Sequence, residues 1–434
     1  MEFNVSYILF ATAAMLCFAS CDKFGGINNG DDNNGDEDNT PGVEETRLQK
    51  KSAKRGVSFN FNAIPEIDLP LLGPAITWSY NWGMSVSDAA NEGFKEYGLD
   101  YCPMVWNANW DPETVTSITA KTSAKYLLAF NEPNLTDQAN MTPEKAAEYW
   151  PAVLEAAKAN NLKIISPAMN YGTLSGYNDP YKWLDEFFAQ PGVSLDDVDG
   201  IAVHCYMGNA GAVMNYIDGF KKYGKPIWLT EFCNWANDNV SLDSQKKYMV
   251  ETINALEAED AVYRYAWFIP RGNGDSKCHN SLLTSKKPFE LTDLGQIFVN
   301  MSSWDKDLWY SVGDVIPAEQ YNSCSGALHL ETSTDKGVLD LTDLKNDVSV
   351  DYQLNITETG MYALELRYCT FYETSAKILV DGEEVDELQF ANTERKWANL
   401  LYDKLHLEAG KHTITISGNS AFPLTLNWLK IKSL

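Results

Sequence analysis

Basic residues are scarce: 34 Lys and Arg stand against 60 Asp and Glu in 434 residues, a formal charge of −26. That balance repels phosphate backbones and anionic lipid surfaces, which argues against nucleic acid or a membrane surface as partner, whereas a neutral polymer is indifferent to it. Histidine is scarcer still, at five, and the eight cysteines form no Cys-x-x-Cys pair and no Cys/His group at ligand spacing. A zinc site and a disulfide-dense scaffold are therefore not expected. No apolar run is long enough for a confident membrane span. Aromatic residues, by contrast, are plentiful: 13 Trp and 22 Tyr in a chain that is 44% apolar. That is enough for large cores in two or three domains, with rings left over for the flat platforms on which sugars stack.

The longest apolar run near the start, Tyr7–Ser20, reads as the h-region of a secretory signal. It ends in Phe18-Ala19-Ser20-Cys21, and small residues before a cysteine resemble the lipobox of bacterial lipoproteins. That resemblance implies a signal peptide over residues 1–21, a lipid on Cys21, and a protein anchored in the bacterial cell envelope at the outer membrane or cell surface. The lipid would be its only membrane attachment. Gly25–Asp38 is acidic, rich in Gly and Asn, and nearly without bulky apolar residues. It cannot bury enough surface to order itself, so residues 22–54 read as a flexible linker. Cys102, Cys205 and Cys233 fall in or beside strand-like runs and read as buried thiols, while export would permit disulfides, with the pairing of Cys278 left open.

The centre of the pattern is Tyr126–Asn134. An apolar run, Tyr126-Leu127-Leu128-Ala129-Phe130, switches abruptly to Asn131-Glu132-Pro133-Asn134. Such a run reads as a strand buried on both faces, and Pro133, lacking an N–H, stops the ladder just after Glu132. Lys225–Phe232 repeats the grammar about a hundred residues later: a breaker, an apolar run, then Glu231. Eight strand-like runs occupy residues 55–268: Gly56–Phe61, Ala75–Tyr80, Tyr101–Trp106, Lys125–Phe130, Lys163–Ser166, Gly200–Cys205, Pro226–Thr230 and Tyr263–Phe268. Helical patterns separate most of them; Thr142–Ala159 is the clearest, with a capping Thr and a Pro in its first turn. Strand–helix alternation of this length predicts an α/β fold, a (β/α)8 TIM barrel over residues 55–302, whose chemistry sits at the C-terminal strand ends. Those ends are alike. They carry Trp78-Ser79-Tyr80-Asn81-Trp82, Met104-Val105-Trp106-Asn107, Asn131-Glu132, His204-Cys205-Tyr206, Glu231 and Trp267-Phe268.

In order, these segments resemble glycoside hydrolase family 128, within the clan of retaining (β/α)8 glycosidases. Lys54-Arg55-Gly56-Val57, Pro103-Met104-Val105-Trp106, Arg264-Tyr265-Ala266-Trp267-Phe268 and the stretch from Asn280-Ser281-Leu282-Leu283 to Leu291-Thr292-Asp293-Leu294-Gly295 belong to the same likeness, which covers about Lys54–Val299. The family implies endo-acting hydrolysis of β-1,3-glucan, with Glu132 as general acid/base and Glu231 as nucleophile. It also implies Asn131 on the sugar 2-hydroxyl, Tyr206 holding Glu231, His204 positioning its neighbours, and Trp267 as the floor beneath the cleaved sugar. Trp78, Tyr80, Trp82 and Trp106 are candidate walls of the cleft. A two-carboxylate mechanism calls for no metal or cofactor, and predicts the carboxyl groups about 5 Å apart. It also asks that the acid's pKa be raised, by burial or a neighbouring carboxylate. Where the family usually has His-Trp-Tyr this chain has Cys205 in the middle, a position that strand alternation turns away from the rim.

Beyond Asp305 the pattern changes to alternating strands with turn signals between them: Val348–Ile356, Tyr362–Tyr368, Ala376–Val380, Leu400–Leu407, His412–Ser417 and Leu424–Ile431. Residues 303–434 thus predict an antiparallel β-sandwich of jelly-roll type. Pro317-Ala318-Glu319-Gln320-Tyr321, Leu366-Arg367-Tyr368, Ala409-Gly410-Lys411-His412-Thr413 and Leu426-Asn427-Trp428-Leu429 resemble carbohydrate-binding module family 6. Tyr368 and Trp397 match the positions between which binding members stack a sugar, while Thr425 stands where the completing Asn usually lies. The expected partner is therefore a β-glucan chain, bound by a monomer. Two other readings stay open: a non-catalytic surface glycan-binding lipoprotein, and a glycosidase of the same clan acting on another β-glycan.

Overall fold

The computed structural model describes residues 47–237, 239–272 and 277–434. The expected signal peptide, Cys21 and most of the acidic linker lie outside them.

Eight parallel strands alternate with helices: β1 (Arg55–Ser58), α1 (Pro65–Leu72), β2 (Trp78–Tyr80), α2 (Asp88–Glu96), β3 (Asp100–Tyr101), α3 (Pro112–Thr122), β4 (Tyr126–Asn131), α4 (Pro143–Ala159), β5 (Lys163–Ala168), α5 (Pro180–Phe188), β6 (Ile201–Cys205), α6 (Ala210–Phe220), β7 (Ile227–Phe232), α7 (Leu242–Ala258), β8 (Val262–Trp267) and α8 (Asp293–Asn300). Six form one sheet in the order β3-β2-β1-β8-β7-β6, and β4 pairs with β5. Single parallel bridges join the two groups: Met104 to Leu128 beside β4, and Ile165 to Gly200 and Met169 to Val203 between β5 and β6. The expected third strand, Tyr101–Trp106, is cut to two residues because Pro103 cannot donate to a ladder. The helices start as the sequence dictates. Thr142 accepts from Lys145 N–H ahead of Pro143 at the first turn of α4, and Ser241 accepts from Ser244 N–H ahead of α7. The Pro-rich first connection also forms a helix, α1, begun by Pro65.

Strand alternation sorts side chains into two apolar clusters. One lies on the face of the strands turned away from the helices and holds Trp78, Tyr80, Cys102, Met104, Tyr126, Leu128, Ile165, Ala202, Trp228 and Ala266. Trp228 lies across Gly200, where a Cβ would approach its ring to 2.7 Å, so only glycine fits there. The other cluster packs strands against helices and continues without a break into the second half of the chain.

Twelve further strands follow: β9 (Tyr310–Ser311), β10 (Val315–Pro317), β11 (Ser323–Ser325), β12 (His329–Thr332), β13 (Leu339–Leu344), β14 (Ser349–Ile356), β15 (Gly360–Cys369), β16 (Thr374–Val380), β17 (Glu383–Phe390), β18 (Ala398–Leu407), β19 (Gly410–Gly418) and β20 (Leu424–Ser433). They form two largely antiparallel sheets, β12-β13-β20-β15-β18 with β10, and β11-β14-β19-β16-β17 with β9. The two halves meet along α7. Lys246 pairs with Glu331, Asn254 accepts from Tyr321 and Trp304, and His329 bridges Glu251 and Asp343. Residues upstream of β1 are tied to this joint: the Gln49 amide donates to the carbonyls of Gln320 and Tyr321 and accepts from Ser302 and Ser303. Among the described residues no helix is long and apolar enough to cross a membrane.

Candidate active site

At the end of β4 the backbone turns sharply. Asn131 is the last paired residue, Glu132 takes a left-handed conformation with φ +43°, and Pro133 ends the strand. A non-glycine residue held there costs on the order of 1–3 kcal/mol and persists only where its surroundings fix it. Here Glu132 N–H donates to the Ala168 carbonyl at the end of β5. The carboxylate accepts from Asn170 Nδ2 at 2.9 Å and contacts His204 Nδ1 at 2.9 Å. Glu231 leaves β7 in ordinary extended geometry, and three donors converge on it: Tyr80 Oη at 2.8 Å, Trp82 Nε1 at 2.6 Å and Tyr206 Oη. His204 Nδ1 lies 3.4 Å from Glu231 Oε2, so one imidazole nitrogen faces both acids. A polar atom from each of Glu132, His204 and Glu231 lies within 4.8 Å of the other two. Two carboxylates and an imidazole at such distances have the donor chemistry to hold a metal. Glu231 accepts from three donors, whereas both contacts to Glu132 fall on its Oε1.

The three groups are nearly inaccessible, with Glu132 at 7%, Glu231 at 4% and His204 at 0% exposure. Burial works against charge on His204, yet the Glu231 and Glu132 carboxylates outweigh it and raise its pKa. For Glu132 burial is again the largest influence and pushes upward, but His204 and the Asn170 hydrogen bond outweigh it and the net shift is downward. This corrects the expectation of a raised acid. The upward shift of His204 and the downward shift of Glu132 arise in part from the same 2.9 Å contact between them. Burial first, then the adjacent Glu231 charge, holds the phenols of Tyr80 and Tyr206 well above their usual range, so both remain donors.

Tyr80, Trp82, Tyr206, His204, Glu132 and Glu231 are thus brought together. Asn131 lies beside them, its Nδ2 on Gln138 and its Oδ1 buried without a partner. Trp106 is partly buried against the interior cluster, with its carbonyl accepting from Asn131 N–H. Two residues lie elsewhere than expected. Trp78 is fully buried below Tyr80, their rings stacked 6.1 Å apart, and its Nε1 donates to the Lys54 carbonyl at the opposite end of the strands. It is floor of the interior, not wall of a cleft. Trp267 faces outward, fully buried against Phe232 at 5.1 Å, with Nε1 on the Asn280 carbonyl. Trp78 shares the interior face with Tyr80 but lies deeper, while alternation explains Trp267: Ala266 points inside, Trp267 outside, and Phe268 inward again, where its half-buried ring meets Trp82, Tyr206 and Trp235. Cys205 points outward, as expected, into the strand–helix core.

In the second half, Tyr368 turns into the core. It is 5% exposed and edge-on to Phe390 at 5.0 Å, so it offers no face to a sugar, while Trp397 donates to Thr334. The cause is again alternation, since Tyr362, Leu364, Leu366 and Tyr368 share the inner face of β15. The open rings are Phe371, Tyr372 and Phe422, each about half exposed and in mutual contact at 5.0 and 4.6 Å.

Sequence reasoning missed Asn170 and Trp235. Asn170 follows β5 in Met169-Asn170-Tyr171, and a polar residue just past a strand of this fold was a usable signal; Trp235 sits in a loop with none.

The residues matched by the glycosyl hydrolase catalytic core model are 56–298, more than half of the chain. Two solved structures are similar: a GH128 (subgroup II) endo-beta-1,3-glucanase from Pseudomonas viridiflava, and another from Sorangium cellulosum. The first is 39% identical, over 57% of this chain and 98% of that one, with a TM-score of 0.52. The second is 36% identical, over 57% and 97%, with a TM-score of 0.50. The chain is also 30% identical over 267 residues to alkali-sensitive linkage protein 1 of Schizosaccharomyces pombe, 57% of this chain but only 45% of that protein, so it spans less than half of that relative's length. With two buried carboxylates facing one imidazole inside the matched segment, the chain belongs to the glycosyl hydrolase catalytic core family, with a domain of the family 128 type, and is a glycoside hydrolase.

Proposed function

We propose that the chain is a retaining endo-β-1,3-glucanase whose eight strands close as a (β/α)8 barrel over residues 55–302. The observation that carries this reading is the approach of Glu132 and Glu231 to within 4.8 Å through one oxygen each. Retaining glycosidases hold their carboxyl groups about 5–5.5 Å apart, whereas inverting ones need about 6.5–9.5 Å to admit a water. The unequal hydrogen bonding assigns the roles. Glu231, oriented by three donors, attacks the anomeric carbon. Glu132 delivers a proton to the leaving oxygen, and a glycosyl–Glu231 ester forms as the glycosidic bond breaks. Water, deprotonated by Glu132, then displaces Glu231 with a second inversion.

The proton that Glu132 needs comes from His204, whose Nδ1 lies 2.9 Å from the carboxylate. Burial is already the strongest influence on Glu132 and favours its acid form. A sugar filling the cleft removes more water and tips the proton from imidazolium to carboxyl. Asn131 accepts from the sugar 2-hydroxyl through its unpartnered Oδ1. Phe268 takes the place expected of Trp267, beneath the cleaved sugar.

Residues 303–434 act as a glycan-contacting module through Phe371, Tyr372 and Phe422, and the protein works as a lipid-anchored monomer at the bacterial cell surface. The β-1,3-glucanase assignment draws on the names of the two subgroup II structures. It is tested by product analysis on a panel of linear β-glucans, with the anomeric configuration read by NMR at early times. Release of α-anomers, or turnover confined to β-1,4-linked chains, would overturn it.

A further inference from the structure

The end of β7 carries a second pair of side chains whose chemistry the hydrolytic reaction does not use. Cys233 lies two residues beyond Glu231, and Cys278 lies in the long segment between β8 and α8. Both are fully buried, and the Cys278 thiol lies near enough to Cys233 to join burial in pushing its pKa up. The groups acting on Cys102, Cys205, Cys324 and Cys369 are charged, backbone or hydroxyl groups rather than other cysteines. The backbone on either side of the pair is held by one side chain. Gln245 of α7 accepts from Asn234 N–H and donates to the carbonyls of Asn234 and Cys278, at 3.0, 3.1 and 2.5 Å. Asn280, two residues on, donates to Cys233 Sγ at 3.8 Å and to the Phe268 carbonyl at 3.0 Å.

We propose that Cys233 and Cys278 are joined as a disulfide in the mature protein, clasping the segment after β8 to the strand end that carries Glu231. Both S–H bonds break and one S–S bond forms. The two electrons and two protons pass to an external disulfide, of a thiol–disulfide oxidoreductase or of oxidised glutathione, which leaves as two thiols. With neither sulfur exposed, exchange takes place before this segment closes, during folding, and the finished bond is shielded from reductant. The clasp acts on the site through Phe268: its ring touches Tyr206 at 5.5 Å and Trp82 at 6.0 Å, two of the three donors to Glu231. A cross-link over about 45 residues narrows the unfolded ensemble and fixes that ring.

The test uses the full chain, refolded either in a mixture of oxidised and reduced glutathione or in dithiothreitol, then unfolded and alkylated. A peptide map without reduction is expected to show the Cys233 and Cys278 peptides linked in the first sample and both alkylated in the second. The oxidised protein should melt roughly 5–10 °C higher, and Cys278→Ser should abolish that gap. Both thiols alkylated after oxidative refolding, either cysteine linked elsewhere, or a gap that survives Cys278→Ser would overturn the proposal. The map on the unsubstituted chain decides the matter even if the variant fails to fold.

Discussion

The rim of the parallel strands and the loop end of the β-sandwich both gather aromatic residues, and they use them in opposite ways. At the rim the rings are buried or half-buried and spend their polar atoms on a carboxylate, with Tyr80, Trp82 and Tyr206 all donating to Glu231. At the sandwich, Phe371, Tyr372 and Phe422 stand about half exposed and touch one another, with the Arg395 guanidinium 5.2 Å over the Phe371 ring, and none of them holds a carboxylate. Burial separates the two jobs. A desolvated acid with fixed donors is held in one orientation, which chemistry requires. Open rings that hold no carboxylate keep their faces for adhesion.

Substitutions can break or sharpen that contrast. The largest effect is expected from Glu231→Gln, which should cut kcat by about 10³-fold or more while binding of laminarin-type oligosaccharides persists, measured by calorimetry beside a reducing-sugar assay. Glu132→Gln should cost about 10²–10⁴-fold on glucan, and much less on an aryl glycoside whose leaving group needs no proton; equal losses on both would remove Glu132 from the acid role. His204→Asn tests where the proton waits. Because His204 is raised and Glu132 lowered, the alkaline limb of kcat/KM in the native enzyme follows His204. Without the imidazole it should move to lower pH.

On the sandwich side, Tyr372→Ala with Phe422→Ala should weaken retention on insoluble glucan several-fold, leaving kcat on soluble substrate unchanged. The smallest effect lies at the joint. His329 is raised to about 9, burial opposing but Asp343 and Glu251 prevailing. A base raised on folding stabilises fully below its unfolded value near 6.5, and that contribution fades as pH climbs through about 9. His329→Gln should therefore lower Tm by a few degrees at pH 6 and hardly at all at pH 10.

Much of this was legible in the chain itself. An apolar run broken by Pro133 places Glu132 at a strand end, and the same grammar places Glu231, because ladder chemistry and proline are local matters. The order of eight strands follows from alternation with helices. Facing was harder. Trp267 and Tyr368 were read by motif position, but one residue of register decides whether a ring looks out, in, or into a core, and a bulge or a strand-end turn shifts that register without any mark in the sequence. The acid's protonation was illegible for another reason: it depends on the distance from Glu132 to His204, residues 72 apart. β17, Glu383–Phe390, was missed because an edge strand with one face in water and four acidic residues carries too faint an alternation.

The anchoring of Gln49 has a mechanical consequence. Its amide grips the carbonyls of Gln320 and Tyr321 and the hydroxyls of Ser302 and Ser303, where the two halves meet. A pull on the chain ahead of Gln49 would meet that seam before it reached β1 and the strands that carry Glu132 and Glu231.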